Sequence, residues 1–274
     1  MQHLKRPAFW LAGIILVLGT LLSLAGLLRK DIYGGLSVSL AVQARGQDLV
    51  TVCLAVPALL AALVAAVRGS LRGELALAGL AGYFLYTYAS YVFLVGFNPF
   101  FFGYVAEFSC SLFAFVLLMA GLTRLAGQGG RIEAAAIPLR AGAALLLIVG
   151  AAVGMMWLAQ LLPALTGGSS RVLEESGGRP VIQVLDLGVL VPAFAVAAVM
   201  AFRGRPAGII WVVVLLVKGL TLGLAVVVMT LFMARAGVPD WGGTIIFSLF
   251  SALILGALVW IFSALKGGPA PAEA

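Results

Sequence analysis

The chain has 274 residues, of which 63% are hydrophobic and 10% charged, and its formal net charge is +7. Soluble domains contain about 25% charged residues, so this composition excludes a soluble globular protein and predicts an integral membrane protein. The lipid bilayer is therefore the first expected partner. We assign the excess positive charge to membrane topology, and we expect no nucleic-acid partner.

The residues that most often ligate metals or catalyse reactions are scarce. His3 is the single histidine, which excludes bis-histidine haem ligation and a histidine-rich metal or protease site. Cys53 and Cys110 lie in apolar segments without a Cys-x-x-Cys spacing, so we interpret both as packing residues. The sequence predicts no cofactor and no metal, and it favours a protein that is not an enzyme.

Eight segments are long and apolar enough to cross a bilayer, which takes roughly 20 residues. In chain order they are spans 1 to 8, predicted at about 8–28, 49–67, 74–96, 100–123, 140–162, 184–203, 207–233 and 243–265. We therefore predict an all-α integral membrane protein with eight transmembrane helices. Span 1 lacks a small-residue cleavage site, and we expect it to remain in the mature chain.

The distribution of basic residues predicts the orientation. If the N-terminus is cytoplasmic, ten of the 17 basic residues lie on that side and six on the other, as the positive-inside rule requires. We therefore expect a cell-membrane protein with both termini in the cytoplasm. The ten are Lys5, Arg6, Arg68, Arg72, Arg124, Arg131, Arg140, Arg203, Arg205 and Lys266, and the six are Arg29, Lys30, Arg45, Arg171, Arg179 and Arg235.

Spans 2 and 6 resemble each other. Each has a proline followed by ten residues and an Arg-Gly pair, at Pro57 and at Pro192. Because both spans cross in the same direction, this pattern suggests a parallel 4+4 internal repeat. We accordingly divide the chain into a first four-helix unit at 1–132, a second at 133–266 and a disordered tail at 267–274.

Asp48 and Asp186 precede these two prolines at the predicted outer ends of spans 2 and 6. One interpretation is that each carboxylate caps a helix N-terminus. The other is that they form a pair that attracts cations at the mouth of a central pathway. The polar segment 30–47 before Asp48 is expected to be a short re-entrant or interfacial helix.

Polar side chains share one face of span 3 and continue onto span 4. Only Phe97–Phe100 connects the two spans, so a tight antiparallel hairpin is predicted. This polar face is either a hydrogen-bonded helix interface or the wall of a ligand cavity. Its residues are Tyr83, Tyr86, Thr87, Ser90 and Tyr91 on span 3 and Tyr104, Glu107 and Ser111 on span 4.

Two ionisable residues lie deep within predicted spans. Glu107 is about 10 Å from the outer surface at 1.5 Å per residue, and Lys218 is near the middle of span 7. A charge at the bilayer centre costs roughly 2.5 to 3.5 kcal/mol, so both are expected to face protein or water. Either Lys218 forms a structural ion pair with Glu107 or Asp186, or the residues form a substrate- or proton-binding site.

Glycines four residues apart in span 5 and in span 7 form two small-residue motifs. Gly150 and Gly154 are one pair, and Gly219 and Gly223 the other. Such pairs allow helices to approach closely. We expect them to serve ordinary helix packing rather than a dimer interface.

The stretch from Tyr83 to Phe115, with Tyr-x-x-Tyr, Phe97-Asn98-Pro99-Phe100 and Tyr104-Val-Ala, resembles uncharacterised (hypothetical) multi-pass bacterial membrane proteins, as does Lys218-Gly219. The resemblance covers about half of the chain. It implies a multi-pass membrane protein and no particular activity, ligand or catalytic residue.

Three functional hypotheses follow. The leading one is a carrier of a small molecule or an ion, with an intramembrane site lined by Glu107, Lys218, Asp186, Tyr86 and Tyr104, and with Asp48 at its mouth. The second is an accessory or scaffold subunit that packs against a membrane-protein partner and whose buried charges are structural. The third is a lipid-processing enzyme with Glu107 as general acid or base beside Tyr104.

Overall fold

The computed structural model describes residues 2–29, 31–126 and 136–265. Lys30, Arg131, Lys266 and the tail 267–274, on which parts of the orientation and domain predictions depend, lie outside the described residues. The described residues are helical apart from short connections. Eight of the helices are long and apolar enough to cross a membrane, which confirms the prediction of an all-helical chain with eight such segments.

Six of the eight spans are single uninterrupted helices. Spans 2 and 6 each contain one π-helical turn, in which hydrogen bonds join residues five apart. Span 1 is Gln2–Leu28, span 3 Leu71–Leu94, span 4 Phe101–Ala126, span 5 Ala136–Leu165, span 7 Pro206–Arg235 and span 8 Trp241–Ala264. Span 2 comprises Val38–Val50, the π turn Thr51–Ala55 and Val56–Val67, and span 6 comprises Val181–Leu185, the π turn Asp186–Leu190 and Val191–Phe202.

The start of span 2 differs from the prediction. Its helix begins at Val38, with Ser37 as N-cap, and continues through Asp48. The segment 38–47 is therefore the first part of span 2 and not a separate interfacial helix. The prediction failed because Gln43, Arg45 and Gln47 lower the hydropathy of turns whose polar side chains face protein.

The capping interpretation of the two aspartates is wrong for the same reason. Asp48 lies ten residues inside its helix, and Asp186 lies five residues after the start of span 6 at Val181. Neither position has free N–H groups to satisfy, because free donors occur only in the first turn. Both side chains are buried and have other partners, which are described below.

Each set of four spans packs as a closed ring. Span 1 contacts spans 2 and 4, and span 3 contacts the same two spans from the other side; spans 5 to 8 repeat this arrangement. Spans 3 and 4 form the predicted antiparallel hairpin. Spans 3 and 7 are the most buried of the eight, because they also contact each other where the two rings meet.

A glycine allows the close crossing of spans 3 and 7. A β-carbon added at Gly79 would lie 2.5 Å from Cβ of Val217 and 2.8 Å from the carbonyl oxygen of Val214. No side chain fits in that space, so the absence of one lets the backbones approach. The crossing lies at the centre of the bundle, where the two rings meet.

We refer to the two ends of the bundle by their turns. The mouth end carries the turn at Tyr33 and the short helix Arg171–Glu175, and the base end carries the turns at Gly69 and Gly204. At the base end Lys5 donates to Glu74 at 2.6 Å, so spans 1 and 3 are joined there. Arg72 also donates to the carbonyl oxygen of Leu265 and links the two rings.

The two glycine pairs pack within the chain. Gly150 and Gly154 of span 5 face Phe194 and Val191 of span 6. Gly219 and Gly223 of span 7 face Ile254 and Ser251 of span 8. Ordinary intramolecular packing, as predicted, is thus confirmed for both motifs.

Candidate functional site

Asp48 is the centre of a buried cluster in the first ring. Its side chain is 1% exposed and accepts hydrogen bonds from Tyr33 Oη at 2.5 Å and Tyr91 Oη at 3.0 Å. Burial raises the pKa of Tyr33, so that phenol keeps its proton and remains a donor. Gly26 of span 1 makes room, since a β-carbon there would overlap Asp48 Oδ2 and lie 2.5 Å from Tyr33 Oη.

Gln47 extends this cluster towards the centre of the protein. Its Nε2 donates to Tyr83 Oη at 2.6 Å and to Thr87 Oγ1 at 3.0 Å. Thr51, the first residue of the π turn, lies 2.8 Å from the same Tyr83 hydroxyl. The polar face of span 3 therefore serves first as a hydrogen-bonded interface with span 2.

A second polar group joins the two rings. Tyr86 Oη donates to Asp186 Oδ1 at 2.7 Å, and Trp157 Nε1 donates to Asp186 Oδ2 at 2.8 Å. Lys218 Nζ lies over the Tyr86 ring, 4.0 Å from its centroid. This is cation–π geometry, which stabilises a desolvated ammonium by about 2 kcal/mol. Lys218, Tyr86, Asp186 and Trp157 are called the inter-ring array below.

The predicted ion pair of Lys218 is not formed. The described residues contain three salt bridges, and none includes Lys218, Glu107 or Asp186. In the same part of the chain Lys218 Nζ has no hydrogen-bond partner. The sequence could not predict this, because the ring of Tyr86 occupies the place over the ammonium and its hydroxyl binds Asp186 instead.

A cavity of about 370 Å³ lies between the two rings at the mouth end. Eleven of its side chains away from the rim can form hydrogen bonds, and the other walls are mainly leucine, valine, methionine and phenylalanine. Arg171 and Glu175, paired at 2.7 Å, lie at its rim. The eleven polar residues are Gln43 and Gln47 of span 2, Tyr86, Thr87, Ser90 and Tyr91 of span 3, Trp157 and Gln160 of span 5, Asp186 of span 6, Thr230 of span 7 and Ser251 of span 8.

The cavity ends before the base end. Tyr86 lines it, whereas Gly79, seven residues or about 10 Å further along span 3, is packed against span 7. Three members of the inter-ring array, Tyr86, Asp186 and Trp157, line the cavity, and so does Gly219, next to Lys218. Lys218 is therefore beside the cavity, with its ammonium directed towards Tyr86 of span 3.

Glu107 occupies a third location. It is 0% exposed, and among the described residues neither of its carboxylate oxygens has a hydrogen-bond partner. It faces span 1, where a β-carbon added at Gly19 would lie 3.3 Å from Oε1. Because Glu107 is on the far side of span 3 from the cavity, it does not line the same site as Asp186.

The six predicted site residues thus fall into three groups. Tyr86, Asp186 and Lys218 belong to the inter-ring array. Asp48 lies in the first-ring cluster, and the ring of Tyr104 packs against Tyr91 of that cluster at 5.4 Å. Glu107 stands apart from both.

Sequence reasoning missed three side chains of these polar groups. Tyr33 and Gln47 lie in the polar segment that was predicted as a re-entrant or interfacial helix, and Trp157 was not among the predicted site residues. Tyr33 carried a usable signal, since it is the sixth tyrosine of a chain whose other five lie in one hairpin. Trp157 carried none, because an indole can lie in the interface and donate inward at once.

Within the described ranges, no group of three or more His, Cys, Asp or Glu side chains is arranged to hold a metal ion. Comparison with protein-family models, with curated proteins and with solved structures finds no match for this chain. A function therefore has to be inferred from the cavity and the buried polar groups themselves.

Proposed function

We propose that the chain spans a membrane and carries a small amphipathic solute, which binds in the cavity between two related four-helix units. The observation that supports this most is the cavity itself, which receives residues from both rings, opens at one end and stops at a tight crossing. Binding at the interface of two repeats, near mid-membrane, is the usual arrangement in carriers built from repeats.

The repeat is supported by local structure at a constant offset of 135 residues. Each π turn is followed by a 12-residue helical segment that begins with Val-Pro, and then by Arg-Gly with the glycine in the left-handed region. Gly73 packs on Ala66 in the first unit, and the equivalent Gly208 packs on Ala201 in the second. Two independent helix pairs with the same π turn and the same glycine contact favour duplication over coincidence.

This offset changes which residues are equivalent. Asp186 corresponds to Thr51, and Lys218 corresponds to Tyr83, so the two aspartates are not a symmetric pair. In the first unit Thr51 and Tyr83 are 2.8 Å apart and neutral. In the second unit the same two positions hold a carboxylate and an ammonium. The charged site is thus a property of one unit only, as expected of a binding site for an asymmetric solute.

The walls indicate the kind of solute. A cavity with mainly aliphatic, methionine and aromatic walls and a few amide, hydroxyl and carboxylate groups suits a molecule with an apolar body and one polar end. The polar end would lie near Asp186 and Lys218. There a solute charge of either sign would meet an opposite charge.

The crossing at Gly79 would serve as the gate at the base end. A carrier has to open the base end after it closes the mouth end, and spans 3 and 7 are in contact there through Gly79 and Val217. Rocking of one unit against the other would separate this contact. Alternating exposure of the cavity and of the crossing is the behaviour that distinguishes a carrier from a scaffold.

Cysteine labelling tests this without knowledge of the solute. The chain has only two cysteines, so Cys53→Ser/Cys110→Ser provides a cysteine-free background. Ser90→Cys reports on the cavity, and Val217→Cys, close in volume to the native residue, reports on the crossing. Each is treated with a membrane-impermeant thiol reagent in right-side-out and in inside-out vesicles.

We expect Ser90→Cys to react in vesicles that expose the mouth end and Val217→Cys to react, more slowly, in vesicles of the opposite orientation. Val212→Cys, at a fully buried position of span 7 that faces Gly142 of span 5 within the same unit, is the matched control and should stay unreactive in both. The scaffold hypothesis predicts a dry, static interior. If Ser90→Cys and Val217→Cys are both inert from both sides, the carrier proposal is wrong.

A further inference from the structure

Three buried polar side chains on span 4 have unsatisfied atoms. Within the described part of the chain, the hydroxyl of Tyr104, both carboxylate oxygens of Glu107 and Oγ of Ser111 have no hydrogen-bond partner, and all three residues are 0% exposed. They are spaced three and four residues apart and so lie on the same helical face. Buried polar groups are nearly always hydrogen-bonded, so four orphaned oxygens on one face make this an unfavourable place for a permanent negative charge.

The surroundings of Glu107 are apolar and tightly packed. A β-carbon added at Gly19 of span 1 would lie 2.6 Å from the Phe84 ring of span 3 and 3.3 Å from Glu107 Oε1. The three spans therefore meet around the carboxyl group without room for a larger ligand. Anything that binds to the carboxyl group has to be very small.

No cation compensates a negative charge at Glu107. Its titratable neighbours are Tyr88 of span 3 and Tyr104 and Cys110 of its own helix. Span 1 offers Ser23, which does not titrate. Lys218 is on the opposite side of span 3, over Tyr86. A carboxylate buried without a counter-charge is strongly disfavoured and takes up a proton instead.

We propose that Glu107, flanked by Ser111, is a proton-binding site of the first unit that is loaded in this conformation, and that its protonation is coupled to the carrier cycle. The coupling rests on the proposed function. A metal ion is a poorer occupant, because calcium and magnesium take six or more oxygen ligands. Here one carboxylate and the two hydroxyl groups of Tyr104 and Ser111 are offered, and the nearby carbonyl groups belong to uninterrupted helices.

Span 3 provides the physical connection between the two sites. Phe84 and Tyr88 stack with parallel rings, 6.3 Å apart, on the side of Glu107, whereas Tyr86 and Ser90 line the cavity. Water has to enter between spans 1, 3 and 4 before the proton can leave. That opening displaces span 3, and with it one wall of the cavity.

Infrared spectroscopy tests the proton site directly. A protonated carboxyl group gives a C=O stretching band separate from that of a carboxylate, and ¹³C-labelled glutamate shifts it while aspartate bands stay in place. We expect such a glutamate band at neutral pH in the wild-type protein. It should disappear in Glu107→Gln and persist in Glu74→Gln, the matched control, because Glu74 is paired with Lys5.

Absence of a label-sensitive acid band in the wild-type protein would overturn the proton site. The isotope measurement needs no variant, so poor folding of Glu107→Gln would not leave the proposal undecided. Glu107→Asp then assigns the band to position 107, because the acid band of the new aspartate no longer shifts when glutamate is labelled. A band that survives both substitutions would also overturn it.

The coupling is tested by measuring the labelling rate of Ser90→Cys at several pH values. Each rate is divided by the labelling rate of Ser169→Cys, which lies in the exposed loop at the mouth end. We expect this ratio to depend on pH with Glu107 present and to be constant in the Glu107→Gln background. A ratio that is constant in both overturns the coupling. A clear acid band together with inert Ser90→Cys and Val217→Cys would reject the carrier alone. Labelling of these cysteines without the band would reject the proton site alone.

Discussion

Replacement of Tyr33 by phenylalanine isolates one hydrogen bond at Asp48. The ring and its packing are kept, and only the donor 2.5 Å from Asp48 Oδ2 is lost. That distance lies in the range of charge-assisted O–H···O bonds, which contribute about 1.5–3 kcal/mol when one partner is ionised. We therefore expect Tyr33→Phe to lower the free energy of unfolding by about 2 kcal/mol.

Tyr88→Phe is the matched control, because it removes a hydroxyl from the same group of buried tyrosines. Tyr88 Oη is 3.4 Å from both Ser23 Oγ and the carbonyl oxygen of Gly19, longer than the usual 2.5–3.0 Å for a hydroxyl donor. We expect a loss below about 1 kcal/mol.

The measurement is reversible unfolding in mixed micelles, with intrinsic fluorescence as the probe. A combination of Tyr33→Phe with Asp48→Asn should lose less than the sum of the two single losses, because the partners act as a pair. Equal losses in Tyr33→Phe and Tyr88→Phe, or full additivity in the double variant, would refute the view that Asp48 is stabilised by phenol donors.

Two further predictions concern glycine contacts and the buried lysine. Gly26→Ala should destabilise the protein by about 1–3 kcal/mol through overpacking, since a β-carbon would overlap Asp48 Oδ2. Gly13→Ala on the same helix should be neutral, because an added β-carbon there has nothing within 4 Å. The same unfolding assay measures both variants. Lys218→Met should leave stability within about 1 kcal/mol of wild type, because it breaks no ion pair and removes a desolvation cost that offsets the cation–π contact; a large loss in a thermal melt would mean that Lys218 has a structural partner.

The architecture was readable from the sequence because hydrophobicity alone decides it. Eight apolar stretches gave eight helices of suitable length, and the short Phe97–Phe100 connection gave the spans 3 and 4 hairpin. The prediction failed at the start of span 2, where polar residues face protein instead of water. A hydropathy window does not distinguish these two environments.

The sequence identified residues of the candidate site but not the contacts between them. Tyr86, Asp186 and Lys218 were selected because each is costly in lipid, and the structure brings these three together. Their arrangement was not predicted, because a ring between an ammonium and a carboxylate depends on rotamers and helix rotation. Glu107 was selected for the same reason and lies elsewhere, since burial cost says that a group faces inward but not towards which neighbour.

The π turns at Thr51–Ala55 and Asp186–Leu190 set the rotational phase of the helical segments at the mouth end. A π turn accommodates one surplus residue, and each residue of an α-helix corresponds to about 100° of rotation. Deletion of one residue from the π turn Thr51–Ala55 would rotate the segment 38–50 by that angle. Gln47 and Asp48 would then no longer reach their tyrosine partners. The chemistry of the mouth end is thus set by a count of residues some distance from it, and a one-residue deletion there would have the effect of several substitutions.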